Sequence, residues 1–202
     1  MIYDVSLPIS PSLAVWPGDP QIETTPRADG RVKTSQWIIG SHVGTHVDSP
    51  AHFSVGPQTV DRLDLAALVG PCRVIELPDV DRITAADLPM ERLRGAVRIL
   101  FKTKNSALWE EDMTNFRADF VGLDLGAAEA LARLKPRLVG VDGLSVQHYR
   151  GKGAHEALLR EDIVILEGLR LAAIRPGDYR LICAPLLLAD CDGAPARVFL
   201  ED

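Results

Sequence analysis

The chain predicts an α/β domain with a mixed central β-sheet flanked by helices. Three observations lead there. Short apolar runs of strand character alternate with helical stretches along most of the sequence. Strand-like runs crowd both ends, which suits a mixed sheet better than a purely parallel one. At 202 residues, 47% of them hydrophobic and 25% charged, the chain reads as one domain, 1–202, able to bury a sizeable core.

The elements follow in order. Residues 2–7 open as a strand. Residues 8–31, rich in proline and glycine, predict a long irregular segment. Residues 36–39 lead extended into a histidine-rich stretch at 42–52. Residues 73–77 (Arg-Val-Ile-Glu-Leu) are a strand. Thr84-Ala-Ala-Asp87 reads as a helix start, a hydroxyl cap with an acid three residues on. Residues 97–103 are a strand, 126–134 a helix, and 137–141 a short buried strand after Pro136. Residues 154–160 are helical, 163–167 a strand, 179–188 a long apolar strand, and 196–201 a closing strand. No internal repeat or low-complexity linker interrupts them.

Charge and cysteine usage narrow the function classes. A net charge of −6 disfavours nucleic acid or an anionic membrane as the main partner. Cys72, Cys183 and Cys191 are odd in number and lack CxxC spacing, so they read as reduced thiols. No apolar run reaches membrane-spanning length, and the start lacks the basic and apolar regions of a signal peptide. The expectation is a cytoplasmic protein.

Residues 42–52 read His42-Val-Gly-Thr-His46-Val-Asp48-Ser-Pro-Ala-His52 and hold three of the five histidines. Histidine and carboxylate are the usual ligands of a hydrolytic metal ion, and burying four such groups together is costly unless something organises them. Positions 42, 46 and 48 differ by even numbers, so an extended chain puts them on one face. A helix would also join His42 to His46, but Val43, Thr45, Val47, Gly44 and Pro50 oppose one. A straight strand would hold the α-carbons of His42 and His46 about 13 Å apart, too far for one ion. A bend near Gly44 is therefore expected.

The second half adds candidates. His155 falls near the start of a short helix. Glu167 ends an apolar strand, as a water-facing loop residue or as one of the functional groups that gather at strand ends. Asp142 follows Val-Gly-Val at a similar end and equally suits an Asx-turn. His148, in a Gln-His-Tyr loop, reads as solvated.

These residues carry a family resemblance. Residues 41–53 resemble the motif His-x-Gly-(Thr/Ala)-His-x-Asp-x-Pro-x-His-(Phe/Tyr) of the cyclase-type metal-dependent hydrolases, which include bacterial kynurenine formamidases and isatin hydrolases. Val15-Trp-Pro-Gly-Asp19-Pro resembles an early loop of that family. Residues 139–145 and 155–169 resemble its Gly-(Ile/Val)-Asp and His-x11-Glu-Gly-Leu segments, and Asp192-Gly-Ala-Pro-Ala-Arg197 its closing motif.

The resemblance implies the cyclase-like β/β/α fold and a homo-oligomer built from dimers. It implies a divalent metal, zinc or manganese, with one or two ions per subunit. His42, His46 and Asp48 would hold the first ion, and His52 would donate and accept the proton. In the formamidase branch Asp48 also bridges to a second ion held by His155 and Glu167. In single-metal relatives that pair holds the attacking water. Trp16 matches a position where an aromatic ring contacts substrate. The chemistry suits these groups: a divalent ion lowers the pKa of bound water from ~16 towards 7, and a histidine beside it titrates near neutral pH. Glu167 could share the proton or ligate a second ion.

The implied activity is hydrolysis of a C–N bond in a small amide, most simply an aryl formamide such as N-formylkynurenine. An isatin-like cyclic amide is the alternative, because residues 144–155 lack the doubled histidine that formamidases carry there. The contrasting class is a non-catalytic member whose metal only stabilises the fold. His52 speaks against that, since a structural site has no use for a free base.

Overall fold

In the computed structural model, which describes residues 1–202, the strands close on themselves. In chain order the elements are β1 (Ile2–Asp4), β2 (Glu23–Asp29), β3 (Val32–Ile38), β4 (His46–Asp48), α1 (Leu65–Leu68), β5 (Val69–Glu76), α2 (Met90–Leu93), β6 (Arg98–Lys102), α3 (Asn105–Glu111), α4 (Leu125–Leu134), β7 (Leu138–Val141), α5 (Ala154–Leu159), β8 (Val164–Glu167), β9 (Gly177–Pro185) and β10 (Gly193–Glu201). Eight strands form one sheet in the order β1-β10-β4-β8-β7-β6-β5-β9, and β9 also pairs with β10. That pairing makes a barrel. Strands β5 to β8 are parallel neighbours, whereas β4, β9 and β10 join antiparallel. The sheet is thus mixed, as the sequence predicts.

Side-chain alternation divides the core into two layers. Leu100, Leu138, Leu166, Val74 and Leu181 meet inside the barrel. Their strand neighbours Ile99, Phe101, Val139 and Ile165 point outward against Ala127, Ala128 and Leu131 of α4 and Leu158 and Leu159 of α5. Each fully buried large aliphatic contributes about 1.5–3 kcal/mol relative to exposure. Helix α4 starts where Asp124 accepts the Ala127 amide and ends at Lys135 in the left-handed region.

Several elements differ from the sequence expectation. Residues 8–31 are not irregular throughout: β2 lies among them and pairs with β3, from Glu23↔Ile38 to Asp29↔Val32. Every residue of both strands is exposed, so no apolar alternation marks them. At Thr84, Asp87 accepts the Thr84 amide and hydroxyl at 2.8 and 2.6 Å. The cap forms, but it closes one turn only, and Pro89 follows. Finally, β9 stops at Pro185 and leaves Leu186–188 outside the sheet, while β10 begins at Gly193, three residues early. All three cysteines are free. No helix is long and apolar enough to cross a membrane.

Candidate metal centre

Strands β4 and β8 lie antiparallel with His46 opposite Glu167, Val47 opposite Leu166 and Asp48 opposite Ile165. Val47 and Leu166 belong to the barrel interior. Their neighbours therefore face out together, and His46, Asp48 and Glu167 share one surface. His42 joins them from the preceding loop because Gly44, at φ +62°, turns the chain. The expected bend is present. Gly168 lies against it at φ +69°, and a β-carbon there would strike the Gly44 carbonyl. Thr45 ties the bend down, donating to the Gly168 carbonyl at 2.5 Å and accepting the Leu7 amide at 2.7 Å. His155 enters from the first turn of α5, with Phe53 stacked on its ring at 4.4 Å.

The structure brings all six predicted centre residues together. Nitrogen and oxygen atoms of His42, Asp48 and His52 lie within 4.8 Å of one another, as do those of His46, Asp48 and Glu167. Asp48 belongs to both groups. His46 Nε2 is 3.4 Å from Asp48 Oδ1 and 3.2 Å from Glu167 Oε2. His155 Nε2 is 3.1 Å from Glu167 Oε1 and 3.7 Å from Asp48 Oδ2. The Val146 amide also donates to Glu167 Oε1, at 2.6 Å.

These residues fit a cation on two grounds. Asp48 Oδ2 is buried and has no hydrogen-bond partner, a costly state for a carboxylate oxygen. His46 Nδ1 lies 3.0 Å from the Gly44 carbonyl, which only accepts, so the proton sits on Nδ1. The other nitrogen then presents its lone pair to two carboxylates, an arrangement complementary to a metal ion.

Without a cation the charges settle by proton uptake. Burial works against a charged His42, but hydrogen bonds to Asp48 and Asp192 and their charges raise its pKa to about 9. Burial likewise opposes charge on His46 and His155, yet Glu167 and Asp48 raise both. Burial would push Glu167 up, but His155 and His46 hold it well below the usual carboxylate range.

A cavity of about 320 Å³ opens over the centre, lined by His42, His46, His52, His155, Glu167 and Trp16 among others. Trp16 packs in an aromatic cluster with Phe116 and Tyr149, ring centroids 5.5 Å away in each case. Two candidates fall elsewhere. Asp142 is fully buried and accepts from Thr103, Asn105 and Ser106, which ties β6 and β7 to the start of α3. His148 accepts the Arg150 amide at 3.4 Å in its own loop.

One residue was missed. Asp192 Oδ2 lies 2.8 Å from His42 Nε2 and 3.0 Å from His52 Nδ1. Its closing motif was recognisable, but nothing local points from it to histidines 140 and 150 positions away.

A family model, Cyclase, matches residues 3–148. The chain belongs to the cyclase family. It is 34% identical over 207 residues to a kynurenine formamidase of Bacillus cereus, covering 98% of this chain and 96% of the relative. A solved structure described as a potential metal-dependent hydrolase with cyclase activity superposes with a TM-score of 0.88 at 35% identity, covering 100% of this chain and 98% of that one. Isatin hydrolase A of Labrenzia aggregata shares the cyclase fold at TM-score 0.85 and 24% identity, over 99% of this chain and 93% of its own.

Proposed function

We propose that the protein is a metal-dependent hydrolase that cleaves the C–N bond of a small amide, most simply an aryl formamide such as N-formylkynurenine. The observation that carries this is Asp48, shared between two ligand groups with one buried oxygen unpartnered. Beside it His52, part-exposed, lines the cavity. His42, His46 and Asp48 would hold one zinc or manganese ion, and His155 and Glu167, with Asp48, a second. A divalent cation bound there polarises a carbonyl and acidifies water. His52 takes the proton from water and returns it to the leaving nitrogen. Glu167 would share that proton or ligate. Trp16 presents a face for an aryl group, and about 320 Å³ is within the range of small-ligand pockets. An isatin-like cyclic amide is the second reading, since the missing doubled histidine counts against N-formylkynurenine.

The reading extends to one domain over 1–202, supported by a sheet that takes strands from both ends. It extends to a cytoplasmic setting, supported by three free cysteines. It includes a homo-oligomer, supported by the exposed β2–β3 hairpin with Val32, Trp37 and Ile38 on its surface, since an isolated hairpin is marginal in water.

The test is elemental analysis of the purified protein with absorbance assays on N-formylkynurenine, a lactam and an ester. Stoichiometric metal and turnover lost in His52→Ala are expected. Metal-loaded protein that turns over none of these, identically to His52→Ala, would sink the proposal.

A further inference from the structure

Asp192 stands immediately before β10, outside the sequence motif that supplies the histidines. Four groups converge on its carboxylate. Oδ2 meets His52 Nδ1 at 3.0 Å and His42 Nε2 at 2.8 Å. Oδ1 accepts the Ser41 hydroxyl at 3.2 Å and faces the Cys191 thiol at 3.6 Å. A carboxylate only accepts, so both ring nitrogens facing it must donate. For His52 this puts the proton on Nδ1.

The backbone holds the carboxylate where it is. The Ser49 amide and hydroxyl both donate to the Asp192 carbonyl, at 3.0 and 2.8 Å. The Ser49 carbonyl accepts the His52 amide at 3.0 Å. One serine thus fixes Asp192 and His52 relative to each other. Gly193 completes the fit, because a β-carbon there would strike the His42 ring.

We propose that Asp192 is the positioning residue of the centre: it locks His52 as the Nδ1–H tautomer and so presents Nε2, unprotonated, to the reacting proton. The proposal rests on the hydrolase reading for its catalytic meaning, though not for its structural content. A histidine that serves as a base through one nitrogen needs its other proton held elsewhere. Asp192 also steadies His42, so the two effects must be separated.

Two measurements do this. The first is nitrogen-15 NMR of histidine-labelled, chelator-treated protein at alkaline pH, where the rings are neutral. The wild type should show His52 protonated at Nδ1, and Asp192→Ala should show a mixture of tautomers. The second is kinetics at saturating metal. Asp192→Ala should lower kcat on the order of 10²-fold, the scale of general acid–base catalysis, with KM within about twofold and metal content full. In a His52→Ala background the same change should add no further loss. Where Asp192→Ala fails to fold, Asp192→Leu replaces it, since a side chain of similar size then accepts from neither ring. His52 protonated at Nε2 in the wild type overturns the proposal. So does an undiminished loss in the His52→Ala background, which would place the effect on His42. If the wild type hydrolyses nothing, the functional reading falls, while the NMR still decides the role of Asp192.

Discussion

In the proposed centre a metal ion and a proton would compete for His42. Its ring lies between Asp48 and Asp192, 2.9 and 2.8 Å from their oxygens, and in cation-free protein its pKa is raised to about 9. Below that pH the ring carries a proton that a metal ion must displace. Metal affinity should therefore rise with pH up to about 9 and then level, with proton release on binding below it. Calorimetry in buffers of different ionisation enthalpy measures that release, and pH-independent uptake would contradict this reading. The clustering was legible because His42, His46 and Asp48 lie within one short segment, where even spacing and a glycine suffice to bring them together. Asp192 was not, because its partnership exists only after β10 pairs with β4.

At the scale of elements, buried polar groups mark the joints. Asp142 follows β7 and receives the Thr103 and Ser106 amides and hydroxyls together with the Asn105 side chain. Burial pushes its pKa up, and these donors hold it back. Removing the acceptor strands several buried donors at once. Asp142→Ala should therefore cost roughly 3 kcal/mol or more, read by urea denaturation, with metal content per folded molecule unchanged. Metal lost without stability lost would return Asp142 to the centre. The parallel strands were legible as apolar runs, since both their faces are covered. The β2–β3 hairpin was hidden for the opposite reason: fourteen exposed residues carry no pattern that burial imposes.

At the scale of the molecule, that hairpin is a surface without a covering. Val32, Trp37 and Ile38 are 63, 46 and 48% exposed, and Arg27, Arg31 and Lys33 lie on a chain of net charge −6. In the proposed homo-oligomer, a second copy covers it. Light scattering should then give at least twice 22.0 kDa for the wild type, and a smaller mass for the double variant Trp37→Lys, Ile38→Lys. A wild type that scatters as a monomer would remove the argument. The mixed sheet was foreseen from strands at both ends, but its closure was not. Closure depends on the neighbouring strands β9 and β10 each reaching a distant partner, β9 pairing with β5 and β10 with β4, long-range pairings that no local pattern encodes.

The pairing of Gly193–Pro195 with β4 has a bearing on biosynthesis. The strand that shuts the barrel follows every other strand of that sheet in the chain, and Asp192 stands just ahead of it. A nascent chain can display every histidine of the 42–52 segment and still have no partner for β4 on that side. A product cut short before residue 192 would carry the metal-binding motif without the finished centre. The architecture therefore makes the centre depend on β10: Asp192 reaches His42 and His52 only once that strand has paired with β4.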